Sequence, residues 1–551
     1  MSYLCAILTQ IRLWQEDINH MMKRFFVTLA AGAMLLGCAN NDTPISDQSQ
    51  KESVEPVRTA DELLSLVDGV TIIKDTVDAD QASVTYFYYD QPIDHTNAAA
   101  GTFRQYCVLH YKGADHVTVL HTQGYSTADR KVFRQVDLAK NLDANYIEVE
   151  HRYFRNSAIN KGADYFSADF WQYNTAAQST ADLHRVVTAL KATGCFKNKW
   201  VSTGVSKNGM LTALYAYYYP NEMDVYVPFC APFCTEQESL GIGKWLTEEC
   251  GKDETGQTTE LQNDIWKALQ RMATDENLKV GLAGFYRQQY RQDRFYNDTQ
   301  ALCAMVYKFM ENMFVKFAYF PTDTWDDVIP RENSSAELYF RFADLGKTNY
   351  YKKLRALREL WQLEDEQNMA ADYESDTYDD YETEETEWVE MDGEESAATT
   401  RASMSISYEK ILPYIYHVHA AKELGYFLFD WSKIPANTIL PPTNFEWFKQ
   451  NQSSTRYNKM FGVTYDNGKL MKDFLGFVKN NSSNARCKML FVYGGNDPWT
   501  GAAIPDPAAD DACVKKYIVH KGVHSGSLNN SRLYPASDKE YIINTVKEWL
   551  K

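Results

Sequence analysis

The stretch WVSTGVSKNGMLTAL, residues 200–214, joins an apolar run to a helix-like pattern and places one serine at the junction. The run before Gly204 is typical of a buried strand, and residues 209–219 have helical spacing and end before Pro220. A sharp strand-to-helix turn lifts a serine hydroxyl above the edge of a sheet, and small residues permit such a turn. Ser206 is therefore either a nucleophile held on this turn or a polar residue of an ordinary loop.

The chain on both sides of this turn alternates between strand and helix patterns. Two segments, ASVTYFYYDQPID and TFRQYCVLHYKG, alternate like antiparallel strands. DHVTVLHTQG, NYIEVEHRYF and KWVSTG predict strands, with a helix over 174–192 before the last of them. KMLFVYGGNDPW, KKYIVHKG and the helical DKEYIINTVKEWL close the chain. This order predicts an α/β architecture with a largely parallel, doubly wound sheet.

The middle of the chain has a different pattern. LQNDIWKALQRM, DTQALCAMVYKFMENMFVKFAYF, YYKKLRALRELWQL and YEKILPYIYHVHAAKELGYF all show helical spacing. With 551 residues, the chain is too long for one ordinary domain. We predict a first core segment at 57–235, an inserted helical cap domain at 236–440 and a second core segment at 441–551.

The acidity of the chain is concentrated in one tract. Residues 364–395 contain sixteen Asp and Glu and no Lys or Arg, which leaves −2 of the formal −18 for the rest of the chain. Such a tract is usually a solvated loop, and the alternative is that some of its carboxylates overhang the site and attract a positive group. A chain without a basic stripe does not suit nucleic acid as a partner.

The N-terminal segment resembles a bacterial lipoprotein signal. Lys23 and Arg24 precede the apolar stretch FFVTLAAGAMLL, which is too short to span a bilayer, and LLGC ends the segment at Cys38. We predict a signal region at 1–38, with 1–21 possibly upstream of the true start, lipidation of Cys38, and a polar tether at 39–56. The protein is then anchored in a bacterial cell envelope, at the outer membrane or the periplasmic face. The alternative is an ordinary secretory signal, which gives a secreted protein.

Eight cysteines remain when Cys5 and Cys38 are set aside, and an even number in an exported chain permits disulfides. Cys230 and Cys234, in PFCAPFC, have the spacing of one of the two ligand pairs of a zinc site. No matching Cys or His pair follows at zinc-finger spacing. We expect a structural role for these two cysteines, no metal and no cofactor.

A nucleophilic serine needs a base, and the base needs an orienting acid. In α/β-hydrolases these residues follow the serine in the order acid, then histidine, at the carboxyl ends of strands. Asp497 directly follows an apolar strand, and the competing acids lie in a Pro/Ala-rich loop: Asp506, Asp510 and Asp511. His520 and His524 come later still, and His524 lies in the loop KGVHSGSL, from which a base can reach across. His417 and His419 fall in the helical cap segment. We favour Asp497 and His524.

An oxyanion intermediate needs two backbone donors. The Lys207 amide at the helix start supplies one, and the loop TVLHTQGYS supplies the other through Gln123, Gly124 or Tyr125. Asn208 stands where such turns usually have glycine, with Gly209 one place later. We expect either that the helix stands slightly farther from the sheet or that Gly209 absorbs the strain.

Together, TGVSKNGM, GGNDPWTG, GVHSG and the upstream HTQGY resemble peptidase family S37, the PS-10-type secreted tri- and tetrapeptidyl aminopeptidases, over residues 60–551. VEHRYFRNS, which contains His151, is similar to the related S28 family of prolyl carboxypeptidases and dipeptidyl peptidases. The resemblance implies an α/β-hydrolase fold with a cap, Ser206 as nucleophile, Asp497 as acid and His524 as base. It also implies a serine exopeptidase that prefers proline before the cut.

An aminopeptidase must bind a free ammonium group, for which a carboxylate is the natural partner. Glu148 and Glu150 are candidates, as are acids of the cap, and the alternative is that they make structural hydrogen bonds. Trp499 could line an apolar site for a proline ring, although burial alone would explain it. Two other functions stay open: an esterase or lipase with the same triad, and a non-catalytic surface lipoprotein that binds glycans or peptides. The oligomeric state is not predicted.

Overall fold

In a computed structural model of the chain, the structure describes residues 59–78, 81–125, 133, 135–159, 163–252, 255–257, 259–289, 297–320, 325, 328–348, 408–427, 455–484, 487–509 and 511–551. Val57–Lys551 form one compact unit. The predicted signal and tether, Cys38 and the acidic tract at 364–395 lie outside the described residues. Within the described ranges, no helix combines the length and the apolar character needed to cross a membrane.

A nine-stranded sheet organises the described chain. Its strands, in chain order, are β1 (Val70–Val77), β2 (Ser83–Pro92), β3 (Thr102–Tyr111), β4 (Thr118–Thr122), β5 (Asn145–Val149), β6 (Trp200–Val205), β7 (Val225–Phe229), β10 (Lys488–Gly494) and β11 (Val514–Val519). A separate parallel pair consists of β8 (Glu238–Ser239) and β9 (Tyr426–Phe427).

The spatial order of the sheet is β1-β2-β3-β5-β4-β6-β7-β10-β11. The first three strands pair antiparallel, as does β3 with β5, and the six strands from β5 to β11 run parallel. The order from β2 to β11, in which β5 precedes β4, is the strand order of an α/β-hydrolase. Strand β1 is an additional strand at the edge. The predicted fold class is confirmed.

Fourteen α-helices are described. They are α1 (Ala60–Leu64), α2 (Asp137–Asn141), α3 (Ala168–Trp171), α4 (Ala176–Ala192), α5 (Lys207–Tyr218), α6 (Leu240–Glu248), α7 (Glu260–Thr274), α8 (Glu276–Gln289), α9 (Asp298–Tyr319), α10 (Ser335–Lys347), α11 (Tyr414–His419), α12 (Thr455–Phe461), α13 (Lys469–Asn484) and α14 (Ala536–Trp549). A π-helical turn, Ala420–Leu424, continues α11.

Helices cover both faces of the sheet. Apolar residues of α4, α5 and α13 pack on one face, and those of α2 and α14 pack on the other. Every residue of β4, β5, β6 and β7 is consequently buried. Burial on both faces explains why these strands are continuous apolar runs in the sequence, whereas the exposed edge strand β1 is not.

Helices α6 to α10 follow β7 and form a core of their own, which also includes Trp499 from the loop after β10. Helix α9 begins at a capping box in which Asn297 Oδ1 accepts from the Gln300 amide at 2.9 Å and Gln300 Oε1 accepts from the Asn297 amide at 3.0 Å. The segments LQNDIWKALQRM and DTQALCAMVYKFMENMFVKFAYF, predicted as helices, are α7 and α9. The exact limits of a cap domain at 236 and 440 remain a prediction.

Candidate active site

Ser206 lies on the sharp turn between β6 and α5. Its backbone has φ 59° and ψ −124°, and its amide donates a hydrogen bond to Phe229 O at 2.9 Å. A non-glycine residue with positive φ costs on the order of 1–3 kcal/mol and persists only where its surroundings fix it. The turn is therefore a strained elbow that presents the half-buried Ser206 at the carboxyl end of the sheet.

Two glycines make the elbow possible. A Cβ on Gly204 would lie 2.6 Å from the backbone of Asn208, and a Cβ on Gly209 would lie 2.6 Å from Phe229 O. Gly209 therefore takes the close contact between α5 and β7. A chain with Asn208 at the usual glycine position thus keeps α5 close to β7 at Gly209.

Asp497 and His524 form a buried hydrogen-bonded pair at the same edge of the sheet. Asp497 follows β10, and its Oδ2 lies 2.7 Å from His524 Nδ1. Its Oδ1 accepts from the Trp499 amide at 2.9 Å. Both carboxylate oxygens are thus engaged, and the imidazole is held by one of them. His524 Nε2 is buried and has no hydrogen-bond partner within the described ranges.

Aromatic residues and a cap carbonyl hold His524 in place. Its amide donates to Ala318 O, near the end of α9, at 2.6 Å. The Trp499 ring lies 4.2 Å from the imidazole between centroids, and the Tyr319 ring lies 5.6 Å away with its edge on the imidazole. Trp499 is only 5% exposed. It packs against His524 in the core around α9. Burial, one of the two explanations given from the sequence, therefore accounts for Trp499, and an apolar lining for substrate is not needed.

Beyond the pair, the loop of His524 lies beside the elbow. Gly526 approaches β6 so closely that a Cβ would lie 2.6 Å from Val205 Cγ2. Cys230, which follows β7 with φ 48°, donates from Sγ to Val523 O at 3.7 Å and to Ser525 O at 3.6 Å, on either side of the histidine. The structure thus brings Ser206, Asp497 and His524 to neighbouring strand ends.

The thiol of Cys230 also raises the question of a metal. Its Sγ and the ligand atoms of Asp497 and His524 lie within 4.8 Å of one another. The hydrogen bonds just described account for this proximity. Burial raises the pKa of the Cys230 thiol well above its usual value, and the neighbouring Asp497 charge adds to this effect. A thiol held in its protonated form is a poor metal ligand.

The competing acids and bases lie elsewhere. His520 is exposed at the end of β11, and Asp506 pairs with Lys516 at 2.9 Å on the surface. Asp511 Oδ1 accepts from the amides of Cys513 and Val514. His417 is largely enclosed among aromatic rings, and His419 is fully buried. Asp510 lies outside the described residues.

The predicted oxyanion loop follows β4, and the amides of its three candidate residues have different hydrogen-bond acceptors. The Gln123 amide donates to His121 O at 3.0 Å. The Gly124 amide donates to Asn208 Oδ1 at 2.6 Å. The Tyr125 amide donates to Gln123 Oε1 at 3.4 Å. All three amides thus donate hydrogen bonds within the protein, and the oxyanion donors Lys207 and Gln123, Gly124 or Tyr125 stay a prediction.

Glu148 and Glu150, suggested from the sequence as ammonium ligands, are both buried. Glu148 Oε2 accepts from Tyr146 Oη at 2.7 Å. Glu150 Oε2 accepts from Ser157 Oγ at 2.8 Å and from the Asn156 amide at 3.0 Å. These contacts correspond to the structural alternative, and neither residue is retained as a substrate ligand.

The eight cysteines within the described ranges form no disulfide with one another: Cys107, Cys195, Cys230, Cys234, Cys250, Cys303, Cys487 and Cys513. The sequence permitted disulfides among them, and the structure contains none within these ranges. Cys230 and Cys234 are both buried.

Comparison with known proteins places the chain among peptidases. The family model described as PS-10 peptidase S37 matches residues 53–321. The prolyl tri/tetrapeptidyl aminopeptidase of Streptomyces mobaraensis is 34% identical over 144 residues, which are 26% of this chain and 28% of that protein. The matched part therefore spans little more than a quarter of the relative's length.

Solved structures with a similar arrangement are distant. The proline iminopeptidase of Mycobacterium smegmatis is 12% identical, with a TM-score of 0.33, and the match covers 84% of this chain and 98% of that one. Feruloyl esterase B of Aspergillus oryzae is 11% identical, with a TM-score of 0.33, over 88% and 86% of the two chains. These similarities are too low to indicate an activity. The family match and the curated relative support the resemblance to peptidase family S37 that the sequence motifs indicate, and the chain is similar to the PS-10 peptidases over residues 53–321.

Proposed function

We propose that this protein is an exported serine exopeptidase that releases tri- and tetrapeptides from peptide N-termini, with proline before the cleaved bond. The match of residues 53–321 to the S37 family model and the name of the Streptomyces relative support a peptidase. The observation that carries the proposal is the buried Asp497–His524 pair, with Nδ1 and Oδ2 2.7 Å apart, at the sheet edge that also presents Ser206 on its elbow.

In the proposed mechanism, Ser206 Oγ attacks the peptide carbonyl while His524 Nε2 takes its proton. Asp497 keeps the other imidazole proton on Nδ1 and stabilises the imidazolium that forms. The Lys207 amide and one amide of the loop after β4, that of Gln123, Gly124 or Tyr125, donate to the oxyanion. The C–N bond then breaks as His524 returns the proton to the leaving amine. Water attacks the acyl-enzyme with His524 again as base, and Ser206 is regenerated as the short peptide leaves.

Cleavage of a matched peptide set tests this proposal. Protein lacking residues 1–38 is incubated with peptides that carry proline or alanine at positions 3 and 4, each with a free or an acetylated N-terminus, and products are identified by mass spectrometry. We expect release of tri- or tetrapeptides ending in proline from the free peptides only, and none with Ser206→Ala. Full activity of Ser206→Ala would refute the assignment. Hydrolysis of short acyl esters without peptide cleavage would favour an esterase instead.

We further propose that Cys38 carries a lipid that anchors the protein in the bacterial envelope, so that the partners are a peptide substrate and a membrane. The signal-like sequence that ends in LLGC supports this proposal. Full-length protein should fractionate with membranes and Cys38→Ala should not. Equal membrane recovery of both proteins would contradict the anchor and leave a secreted peptidase.

A further inference from the structure

Strand β7 lies between β6, which leads to Ser206, and β10, which leads to Asp497. Cys230 is the first residue after β7. We propose that Cys230 is a positioning residue of the triad: its thiol holds the loop of His524 against the strand end to which the Ser206 turn and β10 are also bonded. This inference rests on the proposed function, because it assigns a role within the same acyl-transfer site.

The peptide group between Phe229 and Cys230 joins the two neighbouring strands. Its carbonyl, Phe229 O, accepts from the Ser206 amide at 2.9 Å, and its N–H, that of Cys230, donates to Val492 O at 2.7 Å. Val492 belongs to β10, the strand that leads to Asp497. One peptide group is thus bonded to the turn of the nucleophile on one side and to the strand of the acid on the other.

The backbone of Cys230 is strained, as is that of Ser206. Its φ is 48°, and a residue with a side chain in this region costs on the order of 1–3 kcal/mol, whereas glycine adopts it freely. Such strain persists where the surrounding contacts fix the residue. Cys230 is also fully buried. The reason for a side chain at this position therefore lies in the contacts of its thiol.

The thiol contacts the carbonyl groups on either side of His524. Cys230 Sγ donates to Val523 O at 3.7 Å and to Ser525 O at 3.6 Å, so that one S–H proton is shared between two acceptors. Burial holds the pKa of this thiol well above its usual value, and Sγ therefore keeps the proton that it donates. Sγ and the nearest ligand atoms of Asp497 and His524 lie within 4.8 Å of one another. The thiol is thus directly beside the Asp–His pair.

Both peptide groups that flank His524 are held. The group between Val523 and His524 is bonded at its carbonyl by Cys230 Sγ and at its N–H by Ala318 O, 2.6 Å away. The Ser525 amide belongs to the next peptide group and donates back to Val523 O at 2.9 Å, so His524 is the central residue of a three-residue turn. With both groups held, the direction of the His524 Cα–Cβ bond is fixed.

The position of His524 determines the rate in the proposed mechanism. The imidazole takes the proton of Ser206 and later returns it to the leaving amine, and each transfer requires Nε2 within hydrogen-bond reach of its partner. A displacement of about 1 Å can cost about 100-fold in rate. Cys230 therefore acts through His524, and no contact of its thiol with substrate is needed.

Kinetics of Cys230→Ala test the proposal. We expect kcat for peptide cleavage to fall about 10-fold to 100-fold with KM within about twofold, because a displaced base slows proton transfer and leaves ground-state binding intact. The rate of labelling by a fluorophosphonate probe, which needs the same serine and base, should fall by a similar factor.

Cys230→Ser is the conservative variant. It keeps a donor at this position and should recover kcat to within about fivefold of the wild type. A wild-type kcat in folded Cys230→Ala, or a kcat of Cys230→Ser as low as that of Cys230→Ala, would overturn the proposal.

Cys107→Ala is the matched control. Cys107 is also fully buried, and its Sγ also donates to a backbone carbonyl, Gln105 O, at 3.8 Å. It lies in β3, which β5, β4 and β6 separate from β7. The control should lose stability without a change in kcat. An equal loss of kcat in both variants would mean that the effect of Cys230→Ala is a general one of a buried thiol, and the proposal would fail.

Tyr534→Phe provides a second test that does not require Cys230→Ala to fold. Tyr534 Oη also donates to Ser525 O, and its removal leaves both contacts of the Cys230 thiol in place. We expect this variant to keep kcat within about threefold of the wild type, since it loses a single hydrogen bond. A loss of about 10-fold or more would assign the position of the loop to Tyr534 and overturn the proposal.

Acylation by p-nitrophenyl acetate separates this inference from the proposed function, because it needs the triad and no peptide specificity. If the wild-type protein is acylated but cleaves no peptide, the proposed function fails, and the acylation rate of Cys230→Ala relative to the wild type still tests the position of His524. Hydrogen exchange of the Ser525 amide should be faster in Cys230→Ala and unchanged in Cys107→Ala. Unchanged exchange and acylation in folded Cys230→Ala would overturn the inference.

Discussion

At the scale of single residues, Lys207 has a backbone amide with a proposed catalytic role and a side chain that is buried. Its amide begins α5 and is a proposed oxyanion donor, whereas the whole residue is 1% exposed. The Nζ atom has no hydrogen-bond partner within the described ranges and lies 5.2 Å from the Tyr125 ring, 5.4 Å from Phe154 and 5.8 Å from Tyr416. Burial holds the pKa of Lys207 well below its usual value, and the nearby Glu423 opposes this shift only in part.

We expect Lys207→Met to be at least as stable as the wild type at pH 7, by up to about 1 kcal/mol in the free energy of unfolding. Methionine has nearly the same length and removes a buried amine that lacks a hydrogen bond, whereas the aromatic contacts of its chain remain. Lys207→Ala should cost about 2–4 kcal/mol because it leaves a cavity. Urea unfolding of the three proteins measures both effects. A loss of more than about 1 kcal/mol in Lys207→Met would show that a charged ammonium is bound by the rings.

Single residues also show what the sequence could predict about the site. Ser206, Asp497 and His524 were assigned because each follows a strand pattern or lies in the loop after one, and parallel strands bring such positions to one edge. The hydrogen bond from Gly124 to Asn208 could not be predicted, since it depends on the distance between two loops 84 residues apart in the chain. The contact of His524 with Ala318 is likewise invisible in sequence, because any residue supplies a backbone carbonyl.

At the scale of elements, two helical glycines have opposite surroundings. Gly209 in α5 faces β7, where a Cβ would lie 2.6 Å from Phe229 O, 3.0 Å from Gly204 O and 3.1 Å from Ala231 Cβ. Gly284 in α8 would place a Cβ in open space, with nothing within 4 Å. The first glycine is therefore required by helix–strand packing, and the second one is only a residue with low helix propensity.

We expect Gly209→Ala to destabilise the protein by about 1–3 kcal/mol or more, because the backbone atoms of the neighbouring strand cannot move aside. Gly284→Ala should stabilise it by about 0.5–1 kcal/mol through helix propensity. Differential scanning calorimetry of both variants checks the pair. Similar changes in both would mean that α5 can shift away from β7, which was the other outcome considered for an elbow with Asn208.

Burial explains which elements were predicted. Strands β4 to β7 are covered on both faces and read as continuous apolar runs, and α4 and α9 have clear helical periodicity. Strand β1, Val70–Val77, was not predicted. It is an edge strand with mostly exposed side chains and includes Ile72 and Ile73, which are 40% and 48% exposed, so its sequence lacks the apolar-polar alternation of a half-buried strand.

At the scale of the whole molecule, the segment Tyr414–Leu424 docks on the start of α4, more than 200 residues earlier in the chain. Asn174 Nδ2 donates to Ile415 O at 3.0 Å, and Lys422 Nζ donates to Trp171 O at 2.6 Å. Glu423 Oε1 accepts from the Ala176 amide at the first turn of α4 and lies 2.7 Å from His419 Nε2. Glu423 is thus the acidic residue through which this cap segment is joined to the sheet and its helices.

This junction should make stability depend on pH. Burial raises the pKa of Glu423 to about 7, although the Ala176 amide and the charges of Lys422 and Lys207 favour its ionised form. Because an unfolded glutamate has a pKa near 4.5, the folded protein binds more protons between these values, and stability falls as pH rises through this window. Burial lowers the pKa of Lys422 to about 8, which lies above the interval between the two pKa values of Glu423. His419 titrates well below its usual pKa because it is buried.

We therefore expect Glu423→Gln to match the wild type at pH 5 and to exceed its free energy of unfolding by about 1–3 kcal/mol at pH 7.5. Glutamine keeps an oxygen for the Ala176 amide and cannot ionise. Urea unfolding at intervals between pH 5 and 7.5 gives the two curves, and their difference removes the titrations of groups that lie away from Glu423. Lys469→Met is a surface control, since Lys469 pairs with Asp473 at the exposed surface of α13, and it should leave the pH slope unchanged. Parallel curves for wild type and Glu423→Gln would show that Glu423 is ionised throughout, with its charge compensated by Lys422 and Lys207.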